Sequence, residues 1–283
     1  MTWQILLAIS IAATVFYTLL QKVLIHEKAS DAVAFTIASQ IVPGILIFLY
    51  LILTNGFHMP NLLLFIPNIL IMIFFYGFSA VFMFRSLALI DASEFTILFA
   101  TRALWTLLIA VIFLSEHFSL IQMSGTLLLL VSVVLVSYKK EKIKLGKGEL
   151  LALFSAALFG VALGNDGFLV KIFDVQSYLV FAFLLPGIML MAVYPKEIKK
   201  LKMFLKPSLG FKMFLLCICF VVSAITFFSA FKIGNNVGQI SILNQISTVL
   251  IVLASILYLK ERKNVFLKIF GSILAFIGVI LLR

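Results

Sequence analysis

Residues 82–117 and 227–262 align without a gap at one constant offset, and each is an apolar segment that runs into a glutamate, Glu116 or Glu261. A second pairing sets Val42-Pro43-Gly44-Ile45 against Leu185-Pro186-Gly187-Ile188, with Lys28 and Asp31 upstream of the first copy and Lys171 and Asp174 upstream of the second. A third sets Gly125 and Ser132 against Gly271 and Gly278. Three pairs in the same order, with offsets that drift by only a few residues, indicate one unit present twice. The expected organisation is residues 1–138 as the first unit, a basic linker at 139–148, and residues 149–283 as the second.

The solvent of this unit is lipid. Hydrophobic residues make up 64% of the chain and charged residues 12%, against a soluble norm of about 25% charged. Apolar runs of about 18 or more residues read as helices crossing a hydrocarbon core roughly 30 Å thick. Ten such runs occur, near 3–20, 32–53, 62–87, 95–114, 118–138, 150–170, 177–194, 213–231, 237–259 and 265–282. They are too long and too uniformly apolar for the strands of a barrel. The expected fold is therefore an all-α integral membrane protein of ten transmembrane helices, five per unit. The first run has no basic residue before Lys22 and no small-residue cleavage site, so it reads as a spanning helix and not a removable signal. Cys217 and Cys219 sit two apart on the eighth run and point away from each other, as small buried apolar residues would.

The net charge of +11 does not indicate nucleic acid as a partner. The basic residues crowd the odd-numbered connections: Lys22 and Lys28, then Lys139 to Lys147, Lys196 to Lys212, and Lys260 to Lys268. Only Lys171, Lys232 and Arg283 lie on the opposite side. Topology and attraction to anionic headgroups account for this pattern, with membrane lipid as the partner. The tally puts the odd loops in the cytoplasm and both termini outside.

Ionisable groups within apolar runs cost about 2.5–3.5 kcal/mol at the bilayer centre, so each calls for a role. Arg102 lies about eight residues into the fourth run, roughly 12 Å deep at about 1.5 Å per residue, beside Trp105 and Thr106. It reads either as an anchor for a substrate carboxylate or phosphate, with Trp105 as a stacking wall, or as one half of a fixed salt bridge to Glu94 or Asp166. Asn165 and Asp166, between Gly164 and Gly167, read as a loosened helix that contacts substrate or cation, or as an interfacial helix end. Ser241, Asn244, Gln245 and Thr248 share one face of the ninth run, and Ser10, Thr14, Tyr17 and Gln21 share one face of the first. Such stripes either line a wet cavity or glue helices together, and for a lone Ser or Thr glue is the better reading. Tyr76 could add an aromatic wall. The faces of Gly125 with Ser132 and of Gly271 with Gly278 suit close helix packing, between the halves or across a dimer. Arg85, near the end of the third run, can snorkel to water.

These residues resemble the drug/metabolite transporter superfamily in its EamA-like branch of ten-helix proteins. The resemblance rests on Ala92-Ser93, on Phe113-Leu114-Ser115-Glu116-His117, on the run from Gln122 to Leu135, on Leu259-Lys260-Glu261-Arg262 and on Gly271 to Leu282. It implies two inverted five-helix repeats around a central cavity and transport by alternating access, many relatives being exporters. It also implies cytoplasmic termini, opposite to the lysine tally. Relatives often carry Glu-Pro where this chain has Arg102-Ala103 and Ser247-Thr248, so no general family site transfers to Arg102. The first run lacks the carboxylate of the related small multidrug proteins, which argues against cationic drugs.

The expected function is secondary active transport of a small polar or anionic metabolite, amino acid-like, across a cell membrane, the bacterial plasma membrane first. The candidate contacts are Arg102, Trp105, Asn244, Gln245, Ser241, Asn165, Asp166, Tyr17 and Tyr76. A coupling proton or sodium ion is a possible partner, no cofactor or metal is implied, and the chain would act as monomer or homodimer. The alternative is a channel or a non-transporting scaffold. Enzyme chemistry is not indicated: His26, His58 and His117 lie far apart, and Asp166 has no second carboxylate within a span.

Overall fold

The computed structural model describes residues 2–25, 31–105, 119–139, 142–143, 145–234, 243–244 and 246–281. Among them the chain is almost entirely helical: α1 (Trp3–Ile25), α2 (Ala32–Leu53), α3 (Ile66–Leu87), α4 (Ala92–Phe99), α5 (Leu120–Ser137), α6 (Lys147–Ile172), α7 (Val175–Val193), α8 (Pro207–Gly234), α9 (Ile246–Tyr258) and α10 (Val265–Leu281). Among the described residues, six segments are long and apolar enough to cross a membrane: Trp3–Ile25, Ala32–Leu53, Leu62–Leu87, Lys147–Val170, Val175–Val193 and Pro207–Ala230. Leu120–Leu135, Ile246–Tyr258 and Val265–Leu281 are shorter apolar helices. The protein is a multi-pass membrane protein.

Several boundaries differ from the hydropathy reading. α6 and α8 begin earlier than expected because polar first turns carry no hydropathy signal, and Pro207 suits the first turn of a helix, where its missing N–H costs nothing. Within the expected linker, Tyr138–Lys139 pairs antiparallel with Lys142–Ile143. The basic connection after α7 is an ordered 3-10 helix, Pro195–Leu205. Its Leu201, Met203 and Phe204 pack on the bundle core, while Lys196, Lys199, Lys200 and Lys202 are exposed.

The closest helix pairs are α1 with α8, α3 with α6, α5 with α10, α2 with α7, and α4 with α9. Each pair joins a helix before the linker to one after it, so the core lies between the halves and not within either. In lipid, helices associate through small residues and interhelical hydrogen bonds, because apolar burial gives no net drive. Both devices are present. Ser79 Oγ donates to the Ser155 carbonyl and Ser155 Oγ to the Ser79 carbonyl, each at 2.9 Å, joining α3 to α6. Ser10 and Ser223 make the same reciprocal bond at 3.0 and 3.3 Å, joining α1 to α8.

On α2 and α7, Pro43-Gly44 faces Pro186-Gly187. A Cβ at Gly44 would meet Leu184 Cδ2 at 2.6 Å, and one at Gly187 would meet Ile41 Cδ1 at 2.7 Å. Asp31 caps α2 through the Val33 and Ala34 N–H groups, and Asp174 caps α7 through the Ser177 N–H. Gly125 and Gly278 bring α5 and α10 into backbone contact: a Cβ at Gly125 would stand 2.7 Å from the Gly278 carbonyl oxygen. These faces therefore pack one half on the other.

Candidate functional site

α4 does not run on as one helix. After Phe99 its bonding tightens: the Thr101 N–H reaches the Leu98 carbonyl, the Ala103 N–H reaches Ala100, and the Leu104 N–H reaches Thr101. Residues 100–101 form a turn before helix resumes at 102–105. The segment holds neither Gly nor Pro. Instead Thr101 Oγ1 donates to the Leu98 carbonyl at 2.7 Å, the local side-chain bond that bends helices. The break expected at Gly164–Gly167 is absent, since α6 is continuous from Lys147 to Ile172. Along its length it packs on α3.

Arg102 follows this break. α4 starts at Ala92, three residues earlier than expected, so Arg102 lies ten residues in, about 15 Å along the axis at about 1.5 Å per residue. That is further along the helix than the sequence suggested. Its guanidinium carbon stands 4.7 Å from the centroid of the Phe99 ring and 5.5 Å from that of Phe159, both within cation–π range. The aromatic faces over Arg102 are therefore Phe99, one turn back on α4, and Phe159 at the midpoint of α6, whereas Trp105 is 42% exposed. Close approach depends on Gly160, where a Cβ would stand 2.4 Å from the Arg102 carbonyl oxygen and 2.8 Å from Trp105 Cβ.

The phenols of Tyr17 on α1 and Tyr76 on α3 lie within electrostatic reach of Arg102. Tyr76 also packs edge-on against Phe159 at 5.1 Å and donates its hydroxyl to Asp166 Oδ2 at 2.7 Å. Tyr178 on α7 donates to Asp166 Oδ1 at 2.6 Å. Both carboxylate oxygens are thus engaged by neutral donors, and Asp166, 2% exposed, is not the salt-bridge partner of Arg102. Asn165 is joined to Asn68 on α3 by two bonds of 2.6 and 3.0 Å. Tyr76, Asp166 and Tyr178 therefore form one hydrogen-bonded chain from α3 through α6 to α7, with Arg102 and Tyr17 within electrostatic reach of its Tyr76 end. Asn165 and Asn68 stand beside it, toward the even-loop ends of α3 and α6.

The other candidates are placed differently. Ser241 and Gln245 lie outside the described residues. Asn244 has a buried Oδ1 without a hydrogen-bond partner, while its carbonyl accepts from Ser247 Oγ. In the first-helix stripe, Ser10 and Thr14 are spent on Ser223 and act as glue, leaving Tyr17 as the residue that reaches the site. Arg85 is exposed at the end of α3, as a snorkelling residue would be.

Sequence reasoning missed Phe99, Phe159, Tyr178 and Asn68. The available signal was spacing: Phe99 precedes Arg102 by three residues, and Phe159 precedes Asp166 by seven on the same face of α6. It also missed what fixes α4. Glu261, from the far end of α9, accepts the Ala92 N–H at 2.8 Å and the Ser93 N–H at 3.2 Å, and takes the Ser93 hydroxyl as well. A carboxylate at a helix N-terminus satisfies orphan donors and meets the positive end of the dipole. Lys268 of α10 braces the cap, 2.6 Å from Asp91 and 3.5 Å from Glu261, and Lys22 of α1 donates to the Leu87 and Ile90 carbonyls. The helix that carries Arg102 is thus clamped at its start by the second half of the chain.

No curated protein matches the sequence significantly. A solved crystal structure of another protein superposes with a TM-score of 0.64 over 98% of this chain and 97% of its own, at 15% identity, a likeness that concerns the fold alone. Residues 1–138 match the model of the EamA-like transporter family. By that match, the first half of the chain is similar to the EamA-like transporter family.

Proposed function

We propose that this protein is a secondary active transporter that moves a small polar or anionic metabolite, amino acid-like in carrying a carboxylate, across the bacterial plasma membrane, in the export direction. The observation that carries the reading is Arg102: a cation about 15 Å along α4 at about 1.5 Å per residue, next to a break in the helix, under two aromatic faces and within electrostatic reach of two phenols. A guanidinium there offers a two-pronged match to a carboxylate or phosphate. The break frees backbone groups in the same place, a device transporters use at their binding sites.

Alternating access between two inverted five-helix repeats completes the proposal. An odd number of helices per unit makes the second unit enter from the opposite face. Exchanging each helix for the one five further along turns α1–α8 into α6–α3 and leaves the other three closest pairs as they are. The reciprocal serine bonds, the Asp31 and Asp174 caps and the Gly44 and Gly187 contacts follow the same exchange. Asp166 favours a proton over sodium as the coupling ion. Its two oxygens are shared by two phenols, and the surrounding groups fall short of the several oxygen ligands a metal cation takes.

A thermal-shift screen of the purified protein and its Arg102→Ala variant, against amino acids, sugar phosphates, nucleotides and quaternary amines, tests the anion reading. A ligand at about 100 times its dissociation constant stabilises the folded state by about 2.7 kcal/mol. Carboxylates or phosphates should shift the parent protein and not the variant. Shifts from quaternary amines alone would refute it.

A further inference from the structure

At the odd-loop face, a cleft of about 330 Å³ opens between the start of α2, the end of α3 and the start of α6, lined by Ala32, Arg85, Ala88, Leu89, Lys147 and Leu151. It holds two cations and no acid. The other cations of this face whose partners are seen are committed: Lys200 to Asp31 and Glu197, Lys268 to Asp91 and Glu261, and Lys22 to two carbonyls. Among the described residues, Arg85 and Lys147 make no ion pair or side-chain hydrogen bond, and both are exposed. The cleft lined by Val193 to Glu197 differs, since it includes the carboxylate of Glu197, which is paired with Lys200.

The walls around Arg85 and Lys147 are apolar. Leu89 is 56% exposed, and Phe154, one turn further along α6 from Leu151, is 61% exposed. A site with two cations at its mouth, apolar walls and an open side at the membrane surface matches one chemistry. We propose that it binds the headgroup of an anionic glycerophospholipid, with the phosphodiester between Arg85 and Lys147 and the acyl chains along Leu89 and Phe154. The guanidinium can hold two phosphate oxygens at once, while the ammonium acts as a point charge. A zwitterionic headgroup would bring its own cation against this pair. A soluble phosphate ester would satisfy the same cations but leave the leucine walls in water. Because the site joins α2 and α3 to α6, its occupant would bridge the two halves of the chain.

The test is native mass spectrometry of the full chain with phosphatidylglycerol, phosphatidylcholine or glycerol 3-phosphate. The variants are Arg85→Gln/Lys147→Gln and, as an equal-charge control, Lys199→Gln/Lys202→Gln on the exposed 3-10 helix. Their side chains are exposed, so folding should persist, with the elution profile as the check. Phosphatidylglycerol should bind the parent protein and the control alike and bind the Arg85/Lys147 variant roughly 30-fold more weakly, as expected for two basic residues near an anionic surface. Undiminished binding to that variant would overturn the proposal, as would an equal loss in the control, which would mean diffuse surface charge. Equally tight binding of glycerol 3-phosphate would overturn the lipid assignment in favour of a soluble anion.

Discussion

Gly160→Ala tests the site through its backbone. The added methyl would stand 2.4 Å from the Arg102 carbonyl oxygen and 2.8 Å from Trp105 Cβ, neither of them the free end of a flexible side chain. A carbon–oxygen contact is comfortable at about 3.3–3.6 Å, so the segment after the α4 break must retreat by roughly 1 Å. Overpacking of this kind costs about 1–3 kcal/mol. The guanidinium, 5.5 Å from Phe159 at present, would then pass the limit of about 6 Å for a useful cation–π contact. In a Trp3→Phe background Trp105 is the sole tryptophan, so its emission reports the displacement, while thermal unfolding reports the cost.

Gly125→Ala is the matched control: its methyl would stand 2.7 Å from the Gly278 carbonyl oxygen, a comparable clash between α5 and α10. Both variants should lose stability, but only Gly160→Ala should change Trp105 emission and weaken binding of the anion found in the screen. A Gly160→Ala protein within about 0.5 kcal/mol of the parent, with unchanged emission, would refute the reasoning.

Glu261→Ala should destabilise by more than the roughly 1 kcal/mol of a single lost cap, approaching the 3–5 kcal/mol of a broken buried charge network, because Ala92, Ser93 and Lys268 all lose a partner; chemical unfolding in mixed micelles measures it. Asp166→Asn should cost little stability, on the order of 0.6 kcal/mol for one bond in the membrane, yet abolish accumulation driven by a pH gradient in proteoliposomes while exchange persists. Accumulation equal to the parent would remove Asp166 from coupling. Burial would raise the Asp31 carboxyl, but the hydrogen bonds from Lys200, Ala34 and Val33 outweigh it and hold it below its ordinary value. Its folded-state pKa is depressed, so its contribution is present at neutral pH and lost as pH falls through that value. Melting temperature should therefore fall below about pH 4 in the parent and respond less in Asp31→Asn.

How much could be read in advance depended on the reach of each interaction. The helical membrane fold follows from runs of apolar residues, a signal local to each segment. Arg102, Tyr17, Tyr76 and Asp166 could be nominated because an ionisable or hydroxylated residue in such a run is conspicuous. Their connection was not legible, since the Tyr76–Asp166–Tyr178 bonds join three helices. The break in α4 escaped notice because Ala100 and Thr101 carry no Gly or Pro signal, while Gly164 and Gly167 gave a signal where α6 is continuous. Glu261 was visible only as a marker of duplication; its role needs α4 and α9 side by side.

The central claim, that Arg102 holds the anionic group of a transported metabolite, is tested most directly by uptake into proteoliposomes. The probe is the labelled carboxylate or phosphate that most stabilises the parent protein, compared across the parent, Arg102→Lys and Arg102→Ala. The account predicts uptake reduced in Arg102→Lys and abolished in Arg102→Ala, with all three eluting as folded protein. Uptake by Arg102→Ala at the parent's rate would contradict it.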